Sequence, residues 1–241
     1  MICPQLPSSR SPVAAFTLIE VLVVVAIIGA LMAILIPAVV RARATAEISA
    51  TQQLMQTAVT GITTYGNDFD GGVPPSRVTN QNAGRNFFGI GEASLAGWQG
   101  AHLLCQAMTG PADNDGVDGP GFGASGSGGR KYGPYVAPED HEYAKREGHH
   151  VFLDAWDLPI VYYSAIRGQT SLWGDGTSHR FNRQDNDAFE DTDPNFTAAD
   201  PNPHPRLKGD EATLRAAPYF IASFGPDGVP GNIDDVIVIG K

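Results

Sequence analysis

The chain has 241 residues, enough for one ordinary hydrophobic core, and its formal net charge is −10. Because a phosphate backbone is neutralised by clustered Lys and Arg, this charge argues against nucleic acid as a partner. The 28 glycines and 18 prolines, with so many carboxylates, suit an extracytoplasmic surface or a protein that binds cations.

The amino-terminal region contains the longest apolar segment, FTLIEVLVVVAIIGALMAILIPAVV, which runs from Phe16 to Val40. Its twenty-five residues exceed the roughly 20 that cross a bilayer as a helix. A secretory signal peptide would carry its small-residue cleavage site after the apolar stretch, whereas Ala14 and Ala15 precede it. An ordinary signal anchor fits the length but leaves Glu20 unexplained, because a carboxylate within an apolar span is costly and usually functional.

The same helix is predicted to continue beyond the membrane. Apolar residues recur at helical spacing on one stripe, which should pack on a globular domain: Ile48, Met55, Val59, Ile62 and Tyr65. The residues NDFDGGVPPS, which follow Gly66, are typical helix breakers. We therefore expect one helix over 16–66, about 75 Å long, with residues 16–40 in the membrane. Pro37 should bend or loosen this helix locally.

Residues 67–241 predict a small α+β domain. A second helix is expected over 93–109, and three segments have the composition of strands: Pro159–Ile166, Ala217–Phe224 and Val236–Ile239. The segments 110–150 and 167–216 are rich in turn-forming and polar residues, so we expect surface insertions there rather than core. The predicted fold class is a long transmembrane helix packed on a small antiparallel β-sheet, with polar loop insertions.

Close to the carboxyl terminus, SFGPDGVPGNIDDVIV combines carboxylates with glycines. Calcium prefers six to eight hard oxygen ligands, and glycines allow backbone carbonyls to turn toward an ion. Asp227, Asp234 and Asp235 could supply carboxylates, and Ser223 and Phe224 could supply hydroxyl or backbone oxygen. An acidic hairpin loop before an edge strand, without any metal, explains the same residues.

Other patterns match functional motifs poorly. DNDGVDG at 113–119 lacks the Gly and Glu positions of an EF-hand loop and is interpreted as solvated. The segment with His141, His149 and His150 does not have zinc-helix spacing. No arrangement of Ser, Cys and His indicates a nucleophile. We therefore expect a protein that is not an enzyme.

The segment AAFTLIEVLVVVAIIGALMAILIPAVVRARA resembles the leader junction and first helix of type IV pilins and type II secretion pseudopilins. The resemblance implies a leader over 1–15, cleavage by a prepilin peptidase between Ala15 and Phe16, and N-methylation of Phe16. It also assigns assembly roles to Glu20 and Pro37. The family usually has Gly before the cut, where this chain has Ala15.

Four further segments occur in the order seen in major pseudopilins: YGNDFDGGVPPS, GPYV, LDAWDLPIVYYS and SFGPDGVPGNIDDVIV. This resemblance implies a pilin-like fold and a structural Ca²⁺ in the last segment, held by the candidate ligands named above. If the leader with Cys3 is removed, Cys105 is the one remaining cysteine. The mature chain then lacks the carboxyl-terminal disulfide of many type IV pilins.

The resemblance implies a pseudopilin subunit that assembles through its first helix into a filament driving protein export. Its partners would be other copies of itself, minor pseudopilins, the prepilin peptidase, the inner-membrane secretion platform and membrane lipid. The span would cross the inner membrane once, with residues 67–241 on the extracytoplasmic side. Two alternatives are a type IV pilus subunit for adhesion or DNA uptake, and a membrane-tethered binding domain or hydrolase.

Overall fold

The structure is a computed structural model and describes residues 17–77, 99–109, 122–123, 131–137, 143–146, 149–174, 178–182, 184–186, 211–229 and 235–241. The chain divides after Thr45 into two compact units, 1–45 and 46–241. The helices in these ranges are α1 (Leu18–Asp68), α2 (Gln99–Thr109) and α3 (Glu211–Ala216). The strands are β1 (Phe122–Gly123), β2 (Lys131–Tyr132), β3 (Tyr143–Arg146), β4 (His149–Phe152), β5 (Val161–Ser164), β6 (Ser171–Gly174), β7 (His179–Asn182), β8 (Tyr219–Ser223) and β9 (Val236–Ile239).

Helix α1 confirms the predicted long amino-terminal helix. Its 51 residues give a length of about 75 Å at 1.5 Å per residue. It ends at Asp68, two residues after the predicted Gly66. Asp70 and Gly71 adopt left-handed φ values of 53° and 74°, and the N–H of Gly71 donates to the carbonyl of Gly66 at 2.7 Å. This left-handed turn satisfies a carbonyl of the last helical turn and stops the helix.

Three strands form the central antiparallel sheet, in the order β5-β8-β9. Phe220 of β8 pairs with Tyr163 of β5 on one side and with Ile239 of β9 on the other. All three strand predictions are confirmed, and the bounds of β9 are those expected from the sequence. Strands β1 and β2 pair antiparallel, as do β3 and β4, whereas β6 and β7 pair parallel.

One face of the sheet packs against α1 and α2. The buried cluster contains residues from both helices and the sheet, including Met55, Ile62, Leu104, Met108, Tyr162 and Ile221. All residues of α2 are buried. Gly61 allows close packing, because a β carbon there would lie 2.6 Å from Met108 Sδ and 3.0 Å from Val136 Cγ2. The stripe predicted on α1 is therefore the face that enters the core. The α+β class, a long apolar helix with a small antiparallel sheet, is confirmed.

The other face of the sheet is covered by the segment that was expected to lie on the surface. Trp173 of β6, Phe181 of β7 and Leu214 of α3 are buried in a second cluster with Tyr163 and Phe220. The Tyr163 and Phe220 rings stack at 4.7 Å, and Trp173 meets Phe220 edge-on at 5.2 Å. The expectation that 167–216 is surface rather than core is wrong for these side chains, because the few large apolar residues of this mostly polar segment fold onto the sheet. That the segment is an insertion stays a prediction.

A buried polar cluster joins this same segment to the rest of the domain. Asp185 accepts a hydrogen bond from Ser76 Oγ and forms an ion pair with Arg77 Nε at 3.2 Å. Asn186 accepts from the N–H of Ala101 and donates to the carbonyl of Tyr162, both at 2.9 Å. These contacts fix the segment after α1 and the start of α2 against β5.

Candidate functional sites: the apolar helix and the carboxyl-terminal loop

The amino-terminal part of α1 exposes an unusual amount of apolar surface. Its large apolar side chains, from Leu18 to Val40, are exposed by 48% to 81%. Within the described ranges, α1 is the one helix long and apolar enough to cross a membrane. Exposed apolar area costs about 25 cal/mol per Å² in water, so a surface of this extent must be covered by lipid or by other protein.

Glu20 lies in the first turn of α1, where Thr17 contacts it. Glu20 Oε2 accepts hydrogen bonds from the Thr17 N–H at 2.8 Å and from Thr17 Oγ1 at 2.7 Å. The N–H of Glu20 donates to Thr17 Oγ1 at 3.4 Å. This is a capping box, in which two side chains satisfy amide groups at the helix start. The spacing Thr-x-x-Glu before an apolar run was a readable signal that the sequence analysis missed.

The predicted processing site falls on Ala15 and Phe16, which lie outside the described residues. Cleavage between them and methylation of Phe16 therefore stay predictions. Pro37 lies inside α1, which is assigned as helix without interruption on both sides. Its ring nitrogen has no hydrogen to donate, so the carbonyl of Ala33 lacks its usual helical donor. Loosening of the helix at this point stays a prediction.

The carboxyl-terminal loop begins where β8 ends. Gly225 and Gly228 both have a left-handed φ of 67°, which a residue with a β carbon rarely adopts. Asp227 is exposed, and its Oδ1 accepts the N–H of Val229 at 2.9 Å. Asp235 and Phe224 are buried, and Asp234 lies outside the described residues. In the part of the chain that is described, no three Asp, Glu, His or Cys side chains gather as a metal site.

The Ser223 hydroxyl is buried and donates to Asp154 Oδ2 at 2.6 Å. Asp154 Oδ1 in turn accepts the N–H groups of Trp156 and Leu158, each at 2.9 Å. Burial raises the pKa of Asp154, and these three hydrogen bonds offset part of that rise. The sequence analysis missed Asp154, although Asp accepting the N–H two residues later is a common turn signal.

Two buried side chains, His102 and Cys105, are accounted for by packing, and several predicted candidates lie outside the described residues. The ring of His102 is buried, with Nδ1 at 2.9 Å from the carbonyl of His150. The thiol of Cys105 is buried, and burial raises its pKa from 9.0 to about 12, which makes it unreactive at neutral pH. Residues 113–119 and His141 lie outside the described ranges.

Comparison with protein families gives a match at the amino terminus. Residues 10–36 match the model of the prokaryotic N-terminal methylation motif. Comparisons with curated proteins and with solved structures give no match. The matched motif and the long apolar helix support a type IV pilin-like subunit and suggest that α1 anchors it in a membrane.

Proposed function

We propose that this protein is a pseudopilin, the subunit of a type II secretion filament, anchored in the inner membrane with residues 67–241 outside. The observation that carries the proposal is the methylation motif over 10–36, on a helix whose apolar side chains are exposed. Two features favour the secretion branch over a pilus. The carboxyl-terminal segment is acidic and Gly-rich, and Cys105 is a free, buried cysteine.

The apolar half of α1 explains both storage and assembly. In the bilayer its side chains contact lipid, and in a filament the same side chains contact the helices of other copies. Glu20 is the exception, since an ionised carboxylate in an apolar environment needs a cation. The amino group of Phe16 on a neighbouring subunit is the proposed partner. Until assembly, the Thr17 hydrogen bonds hold the Glu20 carboxylate within its own chain.

Processing is tested by mass spectrometry of the protein extracted from membranes. We expect a chain that begins at N-methylated Phe16, because a prepilin peptidase cuts before that residue in the family that the sequence resembles. An intact leader, or a cut after Val40, would contradict the pilin interpretation. Ala15→Gly restores the usual residue before the cut and should be processed at least as completely.

Assembly is tested with two variants that separate the charge of Glu20 from its capping role. Glu20→Gln keeps an oxygen that accepts from Thr17 but loses the charge, so it should insert and be processed normally while filament yield falls. Thr17→Val loses the hydroxyl donor and keeps the charge, so it should assemble. Unchanged filament yield in Glu20→Gln would show that no intersubunit cation depends on Glu20. Glu20→Ala should likewise spare insertion and processing and impair assembly.

Export separates the two filament classes. A strain without this chain should retain proteins that the wild-type strain secretes, and the partners named by the proposal, minor pseudopilins and the secretion platform, should be required for the same export. Normal export with lost adhesion or lost DNA uptake would identify a type IV pilus subunit instead.

Calcium is the proposed structural ion of the carboxyl-terminal loop, with Asp227, Asp234, Asp235, Ser223 and Phe224 as the residues that would hold it. Asp235 and the left-handed Gly225 and Gly228 fit such a loop, because carboxylates are hard oxygen ligands and glycines let carbonyls turn. A ligand of the folded state stabilises by about 2.7 kcal/mol at a hundredfold excess over Kd.

The full chain in detergent micelles should therefore melt at a higher temperature in millimolar calcium than in chelator. Magnesium should replace calcium poorly, because it requires a tighter octahedron. Asp234→Ala or Asp235→Ala should abolish the calcium effect, and the matched control Asp113→Ala should keep it. Identical melting in calcium and in chelator would make the loop an acidic turn without metal.

A further inference from the structure

Residues 154–158, which we call the Asp154 turn, contact the end of β8. The link is the hydrogen bond from Ser223 Oγ to Asp154 Oδ2 at 2.6 Å. The other carboxylate oxygen accepts the N–H groups of Trp156 and Leu158, and the N–H of Asp154 donates to the carbonyl of Leu158 at 2.8 Å. Because these donors converge on one buried carboxylate, the side chain of Asp154 sets the shape of the whole turn.

On its other side the Asp154 turn contacts α1. The N–H of Ala155 donates to Thr51 Oγ1 at 3.2 Å, and Thr51 is 1% exposed. The indole Nε1 of Trp156 donates to Glu47 Oε2 at 3.1 Å. Both donors belong to residues that lie between Asp154 and Leu158, so their directions depend on the hydrogen bonds of the carboxylate.

The carboxyl-terminal loop also contacts this turn directly. The N–H of Gly225 donates to Ser223 Oγ at 3.5 Å, so one hydroxyl contacts both the loop and Asp154. A β carbon at Gly228 would lie 3.3 Å from Leu158 Cδ1, so this part of the loop lies beside the turn with little room for a larger residue.

The backbone of the turn is itself held in an unfavourable conformation. Asp157 has a φ of 62°, in the left-handed region that residues with a β carbon rarely adopt. Such a conformation persists only where the surrounding contacts determine it. The hydrogen bonds accepted by the Asp154 carboxylate are among the contacts that determine the backbone of this turn.

We propose that the Asp154 turn is a conformational device that couples the carboxyl-terminal loop to helix α1, with Asp154 as its positioning residue. The loop fixes the Ser223 hydroxyl, the hydroxyl fixes the Asp154 carboxylate, and the carboxylate aims the Ala155 and Trp156 donors at α1. Ordering of the loop by a bound cation then strengthens the contact of α1 at Glu47 and Thr51. The coupling itself exists without a cation, so it does not depend on the calcium proposal.

The coupling is tested by a double-mutant cycle on the full chain in detergent micelles, with the unfolding equilibrium constant as readout. Ser223→Ala removes the hydroxyl on the loop side, and Thr51→Val removes the acceptor on the α1 side. Since neither residue hydrogen-bonds to the other in the described contacts, independent effects would multiply. We expect the double variant to deviate from the product by about fivefold or more. A deviation within about twofold overturns the proposal.

Three further variants show whether the turn carries this coupling. Ser223→Ala combined with Thr109→Val should be multiplicative, because Thr109 Oγ1 donates to the carbonyl of Cys105 within α2. Asp154→Asn should preserve the coupling, since an amide oxygen accepts the two N–H groups and the amide nitrogen donates to Ser223. Asp154→Ala should remove it. Coupling that persists in Asp154→Ala would assign it to a different route and overturn the role of the turn.

Hydrogen exchange provides a second measurement if Asp154→Ala does not fold. In Ser223→Ala, the amides of Ala155 and Trp156 should exchange about tenfold faster, while the amides of β5 keep their wild-type rates. Changes confined to residues 223–225 would overturn the proposal.

Measurements in calcium and in chelator form a separate test. Absence of a calcium effect on the wild type would remove the metal proposal, but the double-mutant cycle and the hydrogen-exchange result would still test the coupling.

Discussion

Both parts of helix α1 have the same backbone conformation, but their apolar side chains differ in exposure. From Leu18 to Val40 every large apolar side chain is exposed, whereas Met55, Ile62 and Tyr65 further along are buried in the core of residues 46–241. The first part is apolar on all sides, and the second is apolar on one stripe. Helical periodicity alone therefore does not determine what covers a helix. A stripe indicates the protein's own core, and an all-round apolar surface indicates lipid or other subunits.

The largest expected difference between the two parts should come from replacing one isoleucine in each part by aspartate. Ile62 is 2% exposed and Ile27 is 55% exposed. Ile62→Asp buries a carboxylate without a partner, and its cost of at least about 4 kcal/mol approaches the whole stability of a domain. We expect loss of cooperative thermal unfolding and rapid proteolysis of residues 46–241.

Ile27→Asp is the matched control, and it should impair membrane insertion while the domain stays folded. An aspartate near the centre of a membrane helix costs about 3 kcal/mol of insertion free energy, so the membrane-bound fraction should fall. The melting temperature of the domain should stay at the wild-type value. If Ile27→Asp unfolds the domain, or Ile62→Asp leaves it folded, the two parts do not have separate environments.

A smaller effect is expected from truncating one methionine in each part. Met55 is fully buried, so Met55→Ala leaves a cavity and should lower the free energy of unfolding by about 2–5 kcal/mol. Met32 is 55% exposed, and Met32→Ala should change the free energy of unfolding by less than about 0.5 kcal/mol. Denaturant titration of both full-length variants in the same micelles measures the difference. Equal losses would mean that Met32 has a partner in the domain.

Sequence patterns predicted the helices and strands that are determined by neighbouring residues along the chain. The stripe on α1 and the strands β5, β8 and β9 follow from periods of a few residues, so they could be identified without the fold. Glu20 could be singled out for the same reason, since one charge within an apolar run is visible in the sequence. Its contact with Thr17 was equally local and was missed because the apolar run was treated only as a membrane span.

Contacts between distant segments were not predictable in this way. Trp173 and Phe181 lie in a segment of mostly polar residues, and they become core only because β6 and β7 lie over the sheet. Asp185 resembles any exposed carboxylate until Ser76 and Arg77, more than 100 residues earlier, contact it. Asp154 likewise depends on Ser223, at a separation of 69 residues. Such pairings are decided by the folded arrangement, which a single sequence does not reveal.

The smallest effect should come from adding one methyl group to a glycine in each part of α1. At Gly29 an added β carbon meets nothing within 4 Å, whereas at Gly61 it would lie 2.6 Å from Met108 Sδ and 3.0 Å from Val136 Cγ2. Alanine favours a helix over glycine by about 1 kcal/mol, and overpacking costs about 1–3 kcal/mol, so the two terms oppose each other at Gly61. The Met108 sulfur is flexible but Val136 is stiff at its only side-chain torsion, so overpacking should win there. Gly61→Ala should therefore lower the free energy of unfolding by about 1 kcal/mol, and Gly29→Ala should not lower it. A Gly61→Ala variant as stable as the wild type in denaturant titration would show that α1 and α2 can separate by a few tenths of an ångström without loss.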